Sequence, residues 1–196
     1  MEYQILRHND DEFFCEFSRN SFRSRVLFDF TPEPNFVGLA IGCNYSFKGH
    51  PIGFLKDNGL IISQINKNNQ RCVMEVDNCT IQAGPTLVED YEKFTKFAAE
   101  KFSTNDYVSG FHVHIGKKKM GNFVIGFTRK ATMAQISDKY IEFKALDAIK
   151  LPGHKKGSFY FKSSKQEIKE GLFPIPVALT FEPRLNESGN LSGEVA

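Results

Sequence analysis

The sequence has no tryptophan, little net charge and no long hydrophobic run, and the last two absences each exclude a class of protein. Lys and Arg number 25 against 23 Asp and Glu, which gives a formal net charge of +2. That charge is too small for a protein that binds by neutralising many phosphates of a nucleic acid. No run approaches the ~20 apolar residues of a membrane-spanning helix. We therefore expect neither an extended nucleic-acid partner nor a membrane span.

The N-terminus and the cysteines together indicate a reducing compartment. The opening MEYQILRHNDDEFF carries charges where a signal peptide has an apolar core. Cys15, Cys43, Cys72 and Cys79 form no CxxC pair, and no histidine stands at zinc-finger spacing from them. We predict reduced, buried thiols in a cytoplasmic protein, in the host cytoplasm if the protein is viral. No cofactor and no metal ion are expected.

What the sequence does contain is phenylalanine, twenty of them among 196 residues. With 41% hydrophobic and 24% charged residues, the composition is that of an ordinary globular protein. A chain of this length buries roughly 70% of its unfolded surface, so it needs no disulfides to form a core. We predict a single domain over residues 1–183. Residues 184–196, rich in Asn, Ser and Gly, are predicted to form a loose tail.

Short strands are predicted along most of the chain. In FRSRVLFDF (22–30), apolar and polar residues alternate towards the end, which is typical of a half-buried strand. The nearly continuous apolar run FVGLAIGC (36–43) indicates a fully buried strand. Residues 52–63 place Asp-Asn-Gly between two apolar arms, as in a β-hairpin. FHVHIG (111–116) and NFVIGFT (122–128) are expected to pair.

Two segments have helical periodicity, residues 91–102 and residues 131–150. In both, apolar residues recur at three- and four-residue spacing, and the second segment stops at a Pro-Gly pair. Many short strands with two main helices, without regular alternation, predict an α+β fold. Its sheet is expected to be mixed or antiparallel.

Three blocks, in this order, resemble the phosphodiester glycosidase family. They are AIGCNYSFKGHPIGFLKDNGLIIS (40–63), IQAGPTLVED (81–90) and a closing part made of HIGKKKMGNFVIGFT (114–128), the segment 131–150 and LPGHKKGSFYF (151–161). The similarity covers roughly residues 36–162. It implies a fold shared with that family and an activity on sugars joined through the anomeric carbon to a phosphodiester.

The sequence departs from the family pattern at three places. The family's Asn-Gly-Gly turn stands here as Asn44-Tyr45-Ser46, and His112 holds the approximate place of an arginine. The Asp-Gly-Gly-Gly-Ser loop is replaced by PGHKKGS (152–158), which has lost the acid and gained two lysines. Membership of the family and retention of its reaction are therefore separate questions.

Two glycine-containing bends are candidate ligand contacts. At the first, Gly84 lets the backbone approach a ligand, Pro85 fixes the corner and Thr86 supplies a hydroxyl. The alternative is a kinked or bulged strand. The second bend is the 152–158 loop, in which phosphate donors are predicted. They are Lys155, Lys156, Gly157 and Ser158. Its alternative is a solvent-exposed turn.

Catalytic groups are predicted at His112, His114 and Asn44. The two histidines flank Val113 on a strand, so both side chains point to one face and can act as base and phosphate donor. The alternatives are surface histidines and a turn-forming asparagine. A carboxylate is also needed as base, and the sequence leaves the choice open. The candidates are Glu75, Asp77, Glu89 and Asp90.

Three functions remain open from the sequence. The first is a hydrolase that cleaves a sugar phosphodiester or a nucleotide-like metabolite. The second is a catalytically diverged protein, possible in a virus, that sequesters an anionic nucleotide-like signal. The third is a non-catalytic interaction module. The first two imply a small anionic ligand as partner, and a homo-oligomer is compatible with all three.

Overall fold

Antiparallel strands make up most of the fold, and one helix lies among them in the part of the chain that is described. The computed structural model describes residues 2–43, 45–47, 50–65, 67, 73–94, 110–152 and 157–184. The helix, α1, covers Met133–Glu142. The strands are β1 Tyr3–Asn9, β2 Glu12–Phe17, β3 Phe22–Phe30, β4 Gly38–Gly42, β5 Tyr45–Phe47, β6 His50–Ile52, β7 Leu55–Asp57, β8 Leu60–Ser63, β9 Val73–Val76, β10 Cys79–Gln82, β11 Thr86–Glu89, β12 Glu92–Lys93, β13 Gly110–Lys118, β14 Phe123–Ala131, β15 Ala145–Lys150, β16 Ser158–Lys162, β17 Glu167–Gly171 and β18 Ile175–Pro183.

Three antiparallel sheets carry the architecture. The seven-stranded sheet has the order β1-β2-β14-β13-β15-β11-β12. The five-stranded sheet has the order β17-β16-β4-β18-β3, and the four-stranded sheet has the order β8-β7-β10-β9. Strands β5 and β6 form a separate two-stranded ladder. Because β13, β15 and β11 are neighbours, residues far apart in sequence meet near one end of the large sheet.

Phenylalanine fills the core between the seven-stranded and five-stranded sheets. Phe13 and Phe17 of β2 are fully buried, and they pack on Phe161 and Phe181 at ring-centroid distances of 5.5 and 6.1 Å. Each such ring stabilises the fold by about 1.5–3 kcal/mol through burial. Phe14, between Phe13 and the next core position, points to the opposite face, because successive side chains of a strand alternate.

Helix α1 covers that opposite face of the seven-stranded sheet. It begins with a capping box, in which Thr132 and Gln135 each bond the other's backbone N–H. Ile136 and Tyr140 are fully buried against the sheet. Gly116 makes room for Tyr140, because a Cβ there would lie 2.5 Å from the Tyr140 ring.

The predicted α+β class with two main helices is wrong. Residues 92–93 of the first predicted helix form β12, and residues 95–102 lie outside the described residues. The second, predicted over 131–150, ends at Glu142 and is followed by strand β15. Lys144 ends the helical turn with φ +58°. The six residues of β15 that follow are too few to distinguish helical from strand periodicity, and their pairing with β13 makes them a strand.

Several predicted strands are confirmed. They are β3, β4, the β7–β8 hairpin with Asn58 and Gly59 at its turn, and the paired strands β13 and β14. Cys15, Cys43 and Cys79 are buried thiols, as predicted, whereas Cys72 lies outside the described residues. Among the described residues, no helix has the length and hydropathy needed to cross a membrane.

Aspartates of the four-stranded sheet cap the edge of the five-stranded sheet. Strand β3 is the last strand of its sheet. The backbone N–H of Ser24 donates to Asp77 at 3.2 Å, and that of Val26 donates to Asp57 at 3.4 Å. These bonds satisfy edge donors and join the two sheets.

Candidate functional site

The Gly84–Pro85 corner lies beside the end of β15. Its peptide bond is cis, and the Pro85 carbonyl accepts the backbone N–H of Lys150 at 2.9 Å. Leu151 donates in turn to the Val113 carbonyl at 2.8 Å. The corner is therefore held next to the segment that enters the predicted 152–158 loop. Residues 153–156 of that loop are outside the described ranges.

Thr86 begins β11 and lines a cleft of about 260 Å³ between the seven-stranded sheet and β9. Its side chain is only 4% exposed, and its register partner is Ile149 of β15. The cleft is also lined by Val73, Met74, Glu75, Val88, Glu89, Lys117, Asp147 and Ile149. Its volume is close to the lower limit of about 300 Å³ for small-molecule sites, which suits a sugar-sized group.

Charged side chains in this cleft are available to a ligand. Glu75, Glu89 and Lys117 make no side-chain hydrogen bond or ion pair with any described residue. Asp147 accepts only a long bond, 3.4 Å, from the backbone N–H of Asp90 within the described chain. Three carboxylates and one ammonium therefore face a concave site that contains a buried hydroxyl.

The two predicted catalytic histidines lie on the other face of the same sheet. Both are fully buried, whereas Val113 and Ile115, which alternate with them, belong to the core between the sheets. His114 packs on Phe14 with a centroid distance of 4.9 Å, under α1. The alternative of surface histidines is therefore wrong. The sheet also separates both imidazoles from the cleft that Thr86 lines.

Tyr140 holds His114 in place under the helix. The Tyr140 hydroxyl lies 2.9 Å from His114 Nδ1 and 3.2 Å from the Val124 carbonyl, so it can hydrogen-bond both. Burial lowers the pKa of His114 well below its usual value, and the charges of His112 and Lys139 act in the same direction. The imidazole is neutral at pH 7, and its Nε2 atom has no hydrogen-bond partner among the described residues.

The remaining predicted residues divide into two groups. Ser158 is buried, and its hydroxyl donates to the Leu172 carbonyl at 2.5 Å, which commits it to the loop after β17. Gly157 contacts Gly171 so closely that a Cβ on Gly171 would lie 1.5 Å from the Gly157 oxygen. The other predicted residues lie outside the described ranges. They are Asn44, Lys155 and Lys156.

Two charged residues of the cleft were not predicted from the sequence. Asp147 falls in the segment predicted as helix, and Lys117 belongs to GKKKMG, which is most simply the basic tip of a hairpin. The register of β13 and β15 places these two residues directly opposite each other. Only the pairing of the strands reveals this, because nothing in the local sequence links them.

Comparisons with known proteins establish the fold. No family model and no curated protein matches the sequence. Among solved structures, however, the fold is similar to that of a glycosidase catalytic domain. That domain is zebrafish N-acetylglucosamine-1-phosphodiester alpha-N-acetylglucosaminidase, auto-inhibited by its pro-peptide, with a TM-score of 0.60 and 12% identity over 93% of this chain and 83% of that one.

A second solved structure is similar as well. A hypothetical protein from Synechocystis has a TM-score of 0.63 at 9% identity, over 92% of this chain and 61% of that one. The resemblance expected from the sequence is therefore supported at the level of fold.

Proposed function

We propose that the protein is a phosphodiester glycosidase-like hydrolase that cleaves a small sugar phosphodiester or a nucleotide-like metabolite. The observation that carries this proposal is the cleft in which Thr86 meets the uncommitted carboxylates Glu75 and Glu89. The likeness of the fold to a glycosidase catalytic domain supports it.

The reaction needs a base and a means of stabilising the leaving phosphate. Water attacks the anomeric carbon, the carbon–oxygen bond breaks with its electron pair going to the phosphate, and the proton of water goes to a carboxylate. A phosphate needs little protonation to leave, so an ammonium or hydroxyl donor is sufficient. Lys117 and Thr86 are the donors in the cleft.

The cleft narrows the choice of carboxylate. Of the four candidate carboxylates, Glu75 and Glu89 line the cleft, whereas Asp77 and Asp90 do not. Asp77 instead accepts hydrogen bonds from Ser24 and Arg184. In the proposed mechanism one of these two glutamates is the base. The positive charge that develops on the sugar is stabilised by the other and by Asp147.

The corner and the histidines have supporting roles in this proposal. Gly84 and Pro85 shape the cleft wall at Thr86. His112 and His114 brace β13 from the opposite face. Lys155 and Lys156 are proposed as further phosphate donors on sequence grounds, since they follow the segment that is bonded to the corner.

A panel of sugar-1-phosphodiesters and nucleotide sugars tests the proposal. Release of free sugar from at least one of them is the expected result. No release from any compound at high enzyme concentration would contradict it. If a compound raised the melting temperature without being cleaved, a sequestering protein would be the better description.

A further inference from the structure

A second depression adjoins the cleft on the outward face of the four-stranded sheet. Strands β7, β10 and β9 present Lys56, Thr80 and Glu75 as direct register partners across that face. The turn residues Asn58 and Gly59 lie at one end, and the volume is about 440 Å³. Glu75 lines both this depression and the cleft, so the two sites are adjacent at this residue.

The side chains of this row are uncommitted. Lys56, Thr80 and Glu75 make no side-chain hydrogen bond or ion pair within the described part of the chain. Directly opposed residues of neighbouring strands stand about 4.5–5.5 Å apart at Cβ, so the three can contact one ligand group. Asp77, at the rim, is held by Arg184 at 2.9 Å and belongs to the framework.

The chemistry of the row favours a neutral ligand with several hydroxyls. An ammonium donates only, a carboxylate accepts only, and a threonine hydroxyl does both. A hydroxyl of the ligand can pair with each of the three, because it donates and accepts. The row carries one ammonium and one carboxylate, so its charges cancel and it matches a neutral ligand.

We propose that the depression formed by Lys56, Thr80 and Glu75 is a second subsite, which takes a neutral polyhydroxylated group beyond the substrate's phosphate. This inference rests on the proposed function, since it places the reacting sugar in the cleft and the alcohol half of the phosphodiester past Glu75. The subsite binds and orients that half, and no bond changes there.

Two diesters of one sugar 1-phosphate test the subsite, one with methanol and one with a hexose as the second alcohol. The wild-type protein is expected to have a higher kcat/KM for the hexose diester. Lys56→Met should lower that value about tenfold and Thr80→Val several-fold, because each loses a hydrogen bond. The methyl diester should be unaffected by both changes. Lys165→Met, at an exposed turn, is the matched control.

The outcomes separate this inference from the proposed function. Equal kcat/KM for the two diesters, or an equal loss for both in the variants, would overturn the subsite and leave the hydrolase intact. If neither diester is cleaved, calorimetric titration with the intact diesters tests whether the subsite binds the hexose. Tighter binding of the hexose diester that Lys56→Met abolishes supports the subsite, and equal affinities refute it.

Discussion

His114 and Tyr140 join strand β13 to helix α1 by one buried hydrogen bond. The Nδ1 atom of His114 lies 2.9 Å from the Tyr140 hydroxyl, and both side chains are fully buried. The hydroxyl also reaches the Val124 carbonyl on the neighbouring strand. One phenol therefore ties the helix to two strands of the seven-stranded sheet.

Removing that phenol oxygen should destabilise the protein. Tyr140→Phe leaves the Nδ1 atom of His114 buried without this partner, which costs about 1–3 kcal/mol. Urea unfolding measures this as a lower midpoint. Tyr91→Phe, at a side chain that is 41% exposed, is the control and should have no effect. An unchanged midpoint in Tyr140→Phe would show that the bond contributes nothing.

His114 should also make the fold sensitive to acid. Its pKa is lowered well below 6.5 in the folded protein, mainly by burial. Below pH 6.5 the unfolded chain therefore binds the extra proton, so stability is complete above that pH and is lost as the pH falls. The loss of unfolding free energy attributable to His114 approaches about 1.4 kcal/mol, which is RT ln 10, for each pH unit below 6.5.

Variants isolate this histidine from the other groups that titrate in acid. The free energy of urea unfolding is measured between pH 5 and 7.5. His114→Gln should flatten the pH dependence, whereas His8→Gln, at an exposed position, should not. Parallel curves for wild type and His114→Gln would refute the assignment.

Gly171 should tolerate no side chain. Both Gly171 and Gly59 have positive φ, +85° and +87°, but a Cβ on Gly59 would meet no atom within 4 Å. Gly59→Ala should therefore cost only the backbone strain, about 1–2 kcal/mol. Gly171→Ala adds a collision with the Gly157 carbonyl and should cost clearly more. Similar melting temperatures for the two variants would contradict the close approach.

The carboxylates of the cleft should dominate catalysis. A general base contributes about 10²–10⁴ to the rate, so Glu75→Gln or Glu89→Gln should lower kcat at least about a hundredfold. Glu92→Gln, three residues from Glu89 but outside the cleft, is the matched control. Full activity in both Glu75→Gln and Glu89→Gln would show that neither glutamate is the base.

Burial should make Cys79 unreactive. Its pKa is raised to about 12, chiefly by burial, so the thiolate is scarce at pH 8. Iodoacetamide should label the peptide that contains Cys79 slowly in the folded protein and rapidly in urea, as followed by mass spectrometry. Equal labelling rates would show that this thiol is accessible.

Strands with clear local signals could be predicted from the sequence. The Asp-Asn-Gly turn and the alternation in β3 are encoded within a few residues, and the structure confirms both. Strand β15 is different, since its apolar residues fit a helix as well as a strand. Its state is decided by β13 and β11 on either side.

Only part of the candidate site could be predicted from the sequence. Thr86, which lines the cleft, is marked in the sequence by the Gly-Pro corner before it. Asp147 and Lys117 meet through strand register, and no sequence motif joins them. His112 and His114 lie on the helix side of the sheet and not in the cleft. Alternation predicts that they share a face, but it does not tell which face the helix covers.

The aspartates that cap β3 also affect how copies of the protein meet. An unpaired outer strand is a template on which another chain can add itself and start a fibre. At Ser24 and Val26 the donors that such a chain would use are already held by carboxylates. An incoming carbonyl would meet negative charge there, so this side of the molecule resists templated aggregation.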